Sequence, residues 1–220
     1  MAKVRVIIAC FVLLLPSMSA YAGLIRIDFS GKISGLGSIA TGSNFSVGRS
    51  FYGWIEYDSE ALDTIAVNPT KGRYPTAISE FAMTVAGVGP FRGAGLFEAL
   101  VEDGDLGPPL VGGIDLVSFS SDSVTGPNLR RAPSTDLPPA RMFFGFRDTT
   151  RTVLSNDLLP SDFSGFTGAP SASLNFGDGR TNVRFGVENL SVTAQVPVPP
   201  TLLLLALGCS VLLWRRSSIG

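Results

Sequence analysis

Apolar and polar residues alternate in short runs along most of this chain, and long helical patterns are absent. In residues 24–33, Ile25, Ile27, Phe29 and Ile33 share one phase, whereas charged or hydroxyl residues occupy most of the other. A period of two is that of a β-strand with one face on a core. The alternation therefore predicts an all-β fold.

The same alternation recurs between segments rich in Gly, Pro, Asn and Asp, which are typical of turns. It is found in residues 24–33, 49–58, 78–86, 95–101, 114–120, 141–147, 172–176 and 182–194. Eight or nine short strands separated by turns are typical of an antiparallel β-sandwich or jelly roll. We therefore predict one such ectodomain over residues 23–195, with long connections at 58–76 and 121–140.

The last predicted strand contains an irregularity. Three apolar residues share one phase and the next three share the opposite phase, and the pattern slips at Glu188 and Asn189. The two groups are Val183, Phe185 and Val187, and then Leu190, Val192 and Ala194. Since a β-bulge inserts one extra residue, it would absorb this slip and keep both groups facing the core.

The N-terminal 22 residues have the three parts of a secretory signal peptide. Positive charge at Lys3 and Arg5 precedes an apolar run over 6–15, which spans only about 15 Å as a helix. The small-x-small motif at Ala20 and Ala22 predicts cleavage that leaves Gly23 as the first residue. A permanent anchor is the weaker interpretation, because a bilayer core is about 30 Å thick.

The C-terminal segment 196–220 combines a proline motif, an apolar run and two arginines. Val196, Pro197, Val198, Pro199 and Pro200 precede fourteen residues, 201–214, and then Arg215 and Arg216. The run spans roughly 21 Å as a helix, which is short of a full membrane span. The arginines favour the cytoplasmic side. The segment is thus more typical of a sorting signal than of a lasting anchor, although an uncleaved anchor remains an alternative.

This tail resembles the PEP-CTERM group of bacterial sorting signals, which are processed by membrane enzymes called exosortases. Members carry Val-Pro-Glu-Pro, a leucine- and glycine-rich helix and a terminal arginine cluster, and Val198 stands here in place of the glutamate. The stretches 51–58, 158–163 and 176–179 also resemble the all-β ectodomains found ahead of such tails. The resemblance implies export by the Sec machinery, signal peptidase cleavage, transient insertion in the inner membrane and exosortase sorting to the surface of a Gram-negative cell.

The composition of residues 23–195 excludes several function classes. Four of the 17 basic residues and none of the 18 acidic residues lie outside this segment, so its net charge is −5. Because nucleic-acid binding needs a basic stripe, no nucleic-acid partner is expected. Both cysteines lie in the apolar ends, and the whole chain lacks histidine, the commonest general base and transition-metal ligand. We therefore expect no disulfide in the processed protein, no cofactor and no enzymatic activity.

The sequence contains two candidate binding sites, and a plainer interpretation of each is favoured. Asp103 and Asp105, on either side of a glycine, could contribute to a Ca²⁺ site, but they lack the EF-hand spacing and a solvated turn is favoured. Tyr52 and Trp54 share one face of a strand and Tyr74 lies in the adjacent connection, so the three could form a carbohydrate-binding face. The favoured alternative places Trp54 in a strand covered on both sides.

The sequence therefore predicts an exported surface or extracellular-matrix protein with a structural or adhesive role, and polysaccharide binding is its most specific candidate activity. One alternative is a periplasmic domain that stays anchored by its C-terminus. The other is a secreted hydrolase that uses carboxylates such as Glu56 and Glu80, which would have to lie about 5–9 Å apart.

Overall fold

The computed structural model describes residues 23–37, 43–65, 70–103, 114–131, 135–150, 152–156, 158–177 and 181–194. The stretch Gly23–Ala194 forms one compact unit. The predicted signal peptide, the sorting motif from Val196 to Pro200, the apolar run 201–214, Arg215, Arg216 and Asp105 lie outside the described residues. Within the described ranges, no helix is long and apolar enough to span a membrane.

The described residues form eleven β-strands. They are β1 (Leu24–Leu36), β2 (Ser50–Asp58), β3 (Lys71–Tyr74), β4 (Ile78–Val85), β5 (Gly89–Glu102), β6 (Asp115–Thr125), β7 (Leu129–Arg131), β8 (Thr135–Leu137), β9 (Pro139–Asp148), β10 (Ser171–Phe176) and β11 (Thr181–Ala194). The all-β prediction is confirmed.

Eight of these strands close into an antiparallel barrel. The order of hydrogen-bonded neighbours is β5-β4-β2-β1-β11-β10-β9-β6, and β6 pairs back onto β5. The second half of β5 also pairs with β3, while β7 and β8 form a separate two-stranded sheet. The sequence predicted a sandwich or jelly roll, whereas the strands form a closed barrel. The prediction differed because alternation specifies which face of a strand is buried but not which strands are its neighbours.

The barrel interior is filled by aromatic and aliphatic side chains. Phe29 stacks on Phe144 with ring centroids 4.4 Å apart, and Phe51 contacts Phe185 at 4.7 Å. Phe29 and Phe144 come from strands three positions apart in the barrel, and Phe51 and Phe185 come from the two strands that flank β1. The ring contacts therefore join strands that share no backbone hydrogen bonds. Their apolar burial is the main source of stabilisation in a domain without cysteines.

One end of the core is covered by the connection between β9 and β10. Its Phe163 stacks on Phe146 at 4.1 Å, and its Leu159 is also buried. The hydroxyl of Tyr57, a buried residue of β2, donates to the carbonyl of Pro160. Burial raises the pKa of the Tyr57 phenol, since the charged phenolate would lose its hydration.

Two buried carboxylates fix the start of this connection. Asp115 and Asp148 lie opposite each other on β6 and β9. Asp115 Oδ2 accepts hydrogen bonds from the amides of Val153 and Leu154 at 3.0 and 2.9 Å. The Asp148 carboxylate accepts from hydroxyls within the connection, first Thr150, which lowers the pKa of Asp148 to about 2.

The bulge predicted in the last strand is present. The partners of Ser30 and Gly31 on β11 are Asn189 and Val187, so Glu188 is the extra residue. Gly31 lies so close to β11 that a Cβ atom there would be 2.0 Å from the carbonyl oxygen of Gly186. A side chain at this position would therefore force the two strands apart.

Candidate functional site

The outer surface of the barrel carries a cleft across β2, β1 and β11. Its volume is about 370 Å³. Its lining consists of Arg26, Asp28, Phe29, Ser30, Tyr52, Gly53, Trp54, Asn189, Leu190 and Ser191. A cleft of this size falls within the range of small-ligand sites in proteins.

Strand register brings the polar and aromatic side chains of the cleft together. On β1 and β2, Asp28 is opposite Trp54 and Ser30 is opposite Tyr52; on β11, Asn189 is opposite Ser30. Directly paired residues of antiparallel strands point to the same face, so these side chains share the outer face of the barrel. The Asn189 amide nitrogen donates to the Ser30 hydroxyl oxygen at 3.3 Å.

Arg26 organises the Trp54 side of the cleft. Its guanidinium donates to both carboxylate oxygens of Asp28 at about 3.0 Å and to Glu56 Oε1 at 2.8 Å. It also lies 5.1 Å from the centroid of the Trp54 ring, a cation–π distance. The hydrogen bond to Asp28, helped by Glu56, raises the pKa of Arg26 above its ordinary value despite partial desolvation.

The two aromatic residues of the cleft whose side chains lie on the outer face, Tyr52 and Trp54, differ in accessibility. Tyr52 is 56% exposed, whereas Trp54 is half-buried. The indole Nε1 of Trp54 is inaccessible and has no hydrogen-bond partner within the described ranges, so contact with Arg26 and packing hold the ring. Tyr52 therefore offers the open aromatic surface, and Trp54 forms a wall beside it.

Two expectations about these aromatics need correction. The β2 strand is not covered on both faces, because Phe51, Ile55 and Tyr57 point into the core while Tyr52 is exposed to solvent. Tyr74 is not part of a carbohydrate-binding face. It belongs to β3, is only 1% exposed and contributes to the core.

The calcium candidate is only partly described. Asp103 is half-buried at the end of β5, and its amide donates to the carbonyl of Thr70 at 2.9 Å. Among the residues that the structure describes, no group of three or more His, Cys, Asp or Glu is placed to hold a metal ion.

The structure pairs the two carboxylates of the hydrolase alternative. Glu56 on β2 lies directly opposite Glu80 on β4, a juxtaposition that the sequence could not reveal. Each is bound by a different arginine, Glu56 by Arg26 and Glu80 by Arg92 Nη1, both at 2.8 Å. The pair lies outside the lining of the cleft.

Sequence reasoning identified Tyr52 and Trp54 but missed the residues that surround them. In the sequence, Arg26, Asp28 and Ser30 belong to the polar phase of a predicted strand, and Asn189 belongs to the predicted bulge. The signal in the sequence is the pair of opposite charges, Arg26 and Asp28, on the polar phase of the first strand. Comparison with models of known protein families, with curated proteins and with solved structures found no match to this chain.

Proposed function

We propose that this chain is an exported bacterial surface or extracellular-matrix protein that binds a neutral polysaccharide in the cleft on β2, β1 and β11. The observation that supports it most is the exposed ring of Tyr52, set beside the Trp54 wall and among the side-chain oxygens and amide of Asp28, Ser30 and Asn189. An exposed apolar surface bordered by polar groups is typical of a binding site.

The chemistry of the cleft matches that of a sugar ring. The face of a pyranose exposes several C–H groups and can lie flat on an aromatic ring, which buries apolar surface on both sides. Its hydroxyl edge then needs donors and acceptors. The Asn189 amide can donate to such hydroxyls, and the Ser30 hydroxyl and the Asp28 carboxylate can accept from them.

The charge of the cleft favours a neutral polymer. Among the described residues that line the cleft, Arg26 is the single basic one, and it is already bound by two carboxylates, those of Asp28 and Glu56. The three groups together leave one excess negative charge. A uronic acid polymer would bring further negative charge to this face, and the whole 23–195 segment is acidic as well.

Replacing Tyr52 by alanine is expected to weaken binding of a neutral polysaccharide about tenfold, since the loss of one aromatic stacking surface is worth roughly 1.5 kcal/mol. Tyr52→Phe keeps the ring and is expected to retain most of the affinity. The measurement is titration of the full-length chain, in mild detergent, with dextran and with cellulose oligosaccharides.

Leu62→Ala is the matched control, because Leu62 is 84% exposed and lies outside the cleft. Polygalacturonate serves as the acidic probe and is expected to bind more weakly than either neutral polymer. Equal affinity of the wild type and Tyr52→Ala, or preferential binding of polygalacturonate, would contradict the proposal.

We further propose that the two ends of the chain direct this domain to the outside of the cell. Residues 1–22 act as the signal peptide for Sec export and signal peptidase, and residues 196–220 act as the exosortase signal. What supports this is the order of the proline motif, the apolar run 201–214 and Arg215-Arg216. In the sequence, the residues of the compact unit Gly23–Ala194 separate these two segments.

Processing has a direct mass signature. Protein recovered from the surface and medium of a producing cell is expected to lack residues 1–22 and the tail beyond the proline motif. Intact-mass spectrometry measures both ends at once, and a variant with Pro197→Ala and Pro199→Ala is expected to keep its tail. If residues 201–220 are retained throughout the mature wild-type pool, the chain is an anchored protein and the sorting proposal fails.

A further inference from the structure

The second half of β11 has one edge without a strand partner among the described residues. The ladder between β10 and β11 ends where Ser171 meets Gly186. From there β11 continues through Val187–Ala194 and, among the residues that the structure describes, pairs only with β1 on its other side. Within the described part of the chain, this edge therefore has room for a further strand to pair with it.

The side chains along this edge divide into an apolar and a polar face. Leu190, Val192 and Ala194 pair with Phe29, Ile27 and Ile25, which are buried. Paired residues share a face, so these three side chains extend the inner, apolar layer of the sheet. Leu190 is nevertheless 39% exposed and Ala194 is exposed, because no strand beyond β11 covers them within the described part of the chain.

This edge lacks most of the devices that keep strand edges apart. Natural edges are protected by charges, prolines, bulges or short length. The bulge residue Glu188, paired with Lys32 at 3.7 Å, lies at the start of the edge. The six residues that follow, 189–194, contain no charged residue, proline or glycine.

We propose that a second copy of this chain pairs with this edge, β11 against β11 and antiparallel, to form a symmetric dimer. An antiparallel pairing with Val192 opposite Val192 of the second copy sets Leu190 opposite Ala194 and Ser191 opposite Thr193. Apolar side chains then meet apolar ones on one face, and hydroxyls meet on the other. Such a two-fold contact is isologous, so the same surface serves both partners.

Electrostatic repulsion between two copies is smaller at the 189–194 edge than over the rest of the ectodomain surface. The ectodomain carries a net charge of −5, so most approaches of two copies bring like charges together. The 189–194 edge is uncharged, and the pairing that matches its faces places no ionisable groups opposite each other.

The dimer would also place two clefts side by side. The use of both clefts by one polymer rests on the proposed function, whereas the dimer itself does not. Two antiparallel edge strands are related by an axis perpendicular to the sheet, so both outer faces point the same way. Asn189 and Ser191 line the cleft, and the two β2 strands are five strand spacings apart, roughly 24 Å in a flat sheet. One polymer could then engage both clefts and gain avidity.

A lysine placed in the edge tests the proposal. Val192→Lys sets two charges against each other at the dimer axis and is expected to weaken dimerisation at least tenfold. The measurement is analytical ultracentrifugation of the full-length chain in mild detergent without polysaccharide. Val47→Lys is the control, because Val47 is 63% exposed and lies outside β11, and both variants share the same apolar ends.

Two further measurements keep the test decisive. If Val192→Lys fails to fold, Thr193→Lys replaces it, since Thr193 is exposed. In a background with Cys10→Ser and Cys209→Ser, Val192→Cys is expected to give a covalent dimer with a short bis-maleimide, whereas Val47→Cys stays monomeric. A monomeric wild type, lysine variants that dimerise equally, or equal cross-linking at both cysteines would overturn the proposal.

Discussion

Replacing Phe146 by alanine is expected to lower the free energy of unfolding by about 3–5 kcal/mol. Phe146 is 1% exposed and contacts three other rings: Phe163 at 4.1 Å, Phe144 at 5.3 Å and Phe166 at 5.6 Å. Its loss would leave a cavity between the barrel interior and the connection that covers it. A close-packed core cannot collapse fully into such a space, so both transfer energy and packing are lost.

Phe143→Ala is the matched control for this experiment. Phe143 lies three residues before Phe146 on the same strand but is only half-buried. Urea unfolding followed by tryptophan fluorescence gives the free energy of both variants. A loss for Phe146→Ala no larger than that for Phe143→Ala would mean that the aromatic cluster does not stabilise the barrel as described.

Replacing Asp115 by alanine is expected to cost about 2–4 kcal/mol of unfolding free energy. The Asp115 carboxylate is fully buried and accepts hydrogen bonds from the amides of Val153 and Leu154. Its removal leaves those two donors without this partner, and the Leu154 amide is buried. An unpaired buried donor costs more than its hydrogen bond contributes to stability, so the connection should detach locally before the barrel unfolds.

Hydrogen exchange distinguishes this local effect from general destabilisation. In Asp115→Ala, the amides of 152–170 are expected to lose more protection than those of β1 and β2. Asp115→Asn keeps one side-chain oxygen as an acceptor and should lose less. Uniform loss of protection across the barrel, or identical stability of the two variants, would contradict the assigned role of Asp115.

The strands of the barrel wall were largely predictable, and the short strands were not. The alternation in 49–58 and 141–147 predicts β2 and β9. These strands were predictable because alternation is a local pattern of apolar and polar residues. The β3 strand and the pair β7 and β8 lie inside the predicted long connections. They have three or four residues each, too few for a period of two to be recognised.

The candidate site was predicted only in part, because its residues are far apart in the chain. Tyr52 and Trp54 were recognisable as aromatics on one phase of one strand. Arg26 and Asn189 join them through the pairing of β1 with β2 and with β11, and that register is a long-range property. Tyr74 was misassigned for the same reason, since its partner strand β5 places it in the core.

The sequence by itself determined the secondary structure class, the buried face of strands such as β1 and β9 and the position of the bulge at Glu188. These properties depend on the side-chain period of two, which is local. Only the tertiary structure decided that β5 and β6 close a barrel, that Tyr52 and Trp54 lie outside it, and that β10 ends before β11 does. Backbone hydrogen bonding can join a strand to any other strand, so its neighbours are chosen by the packing of the whole core.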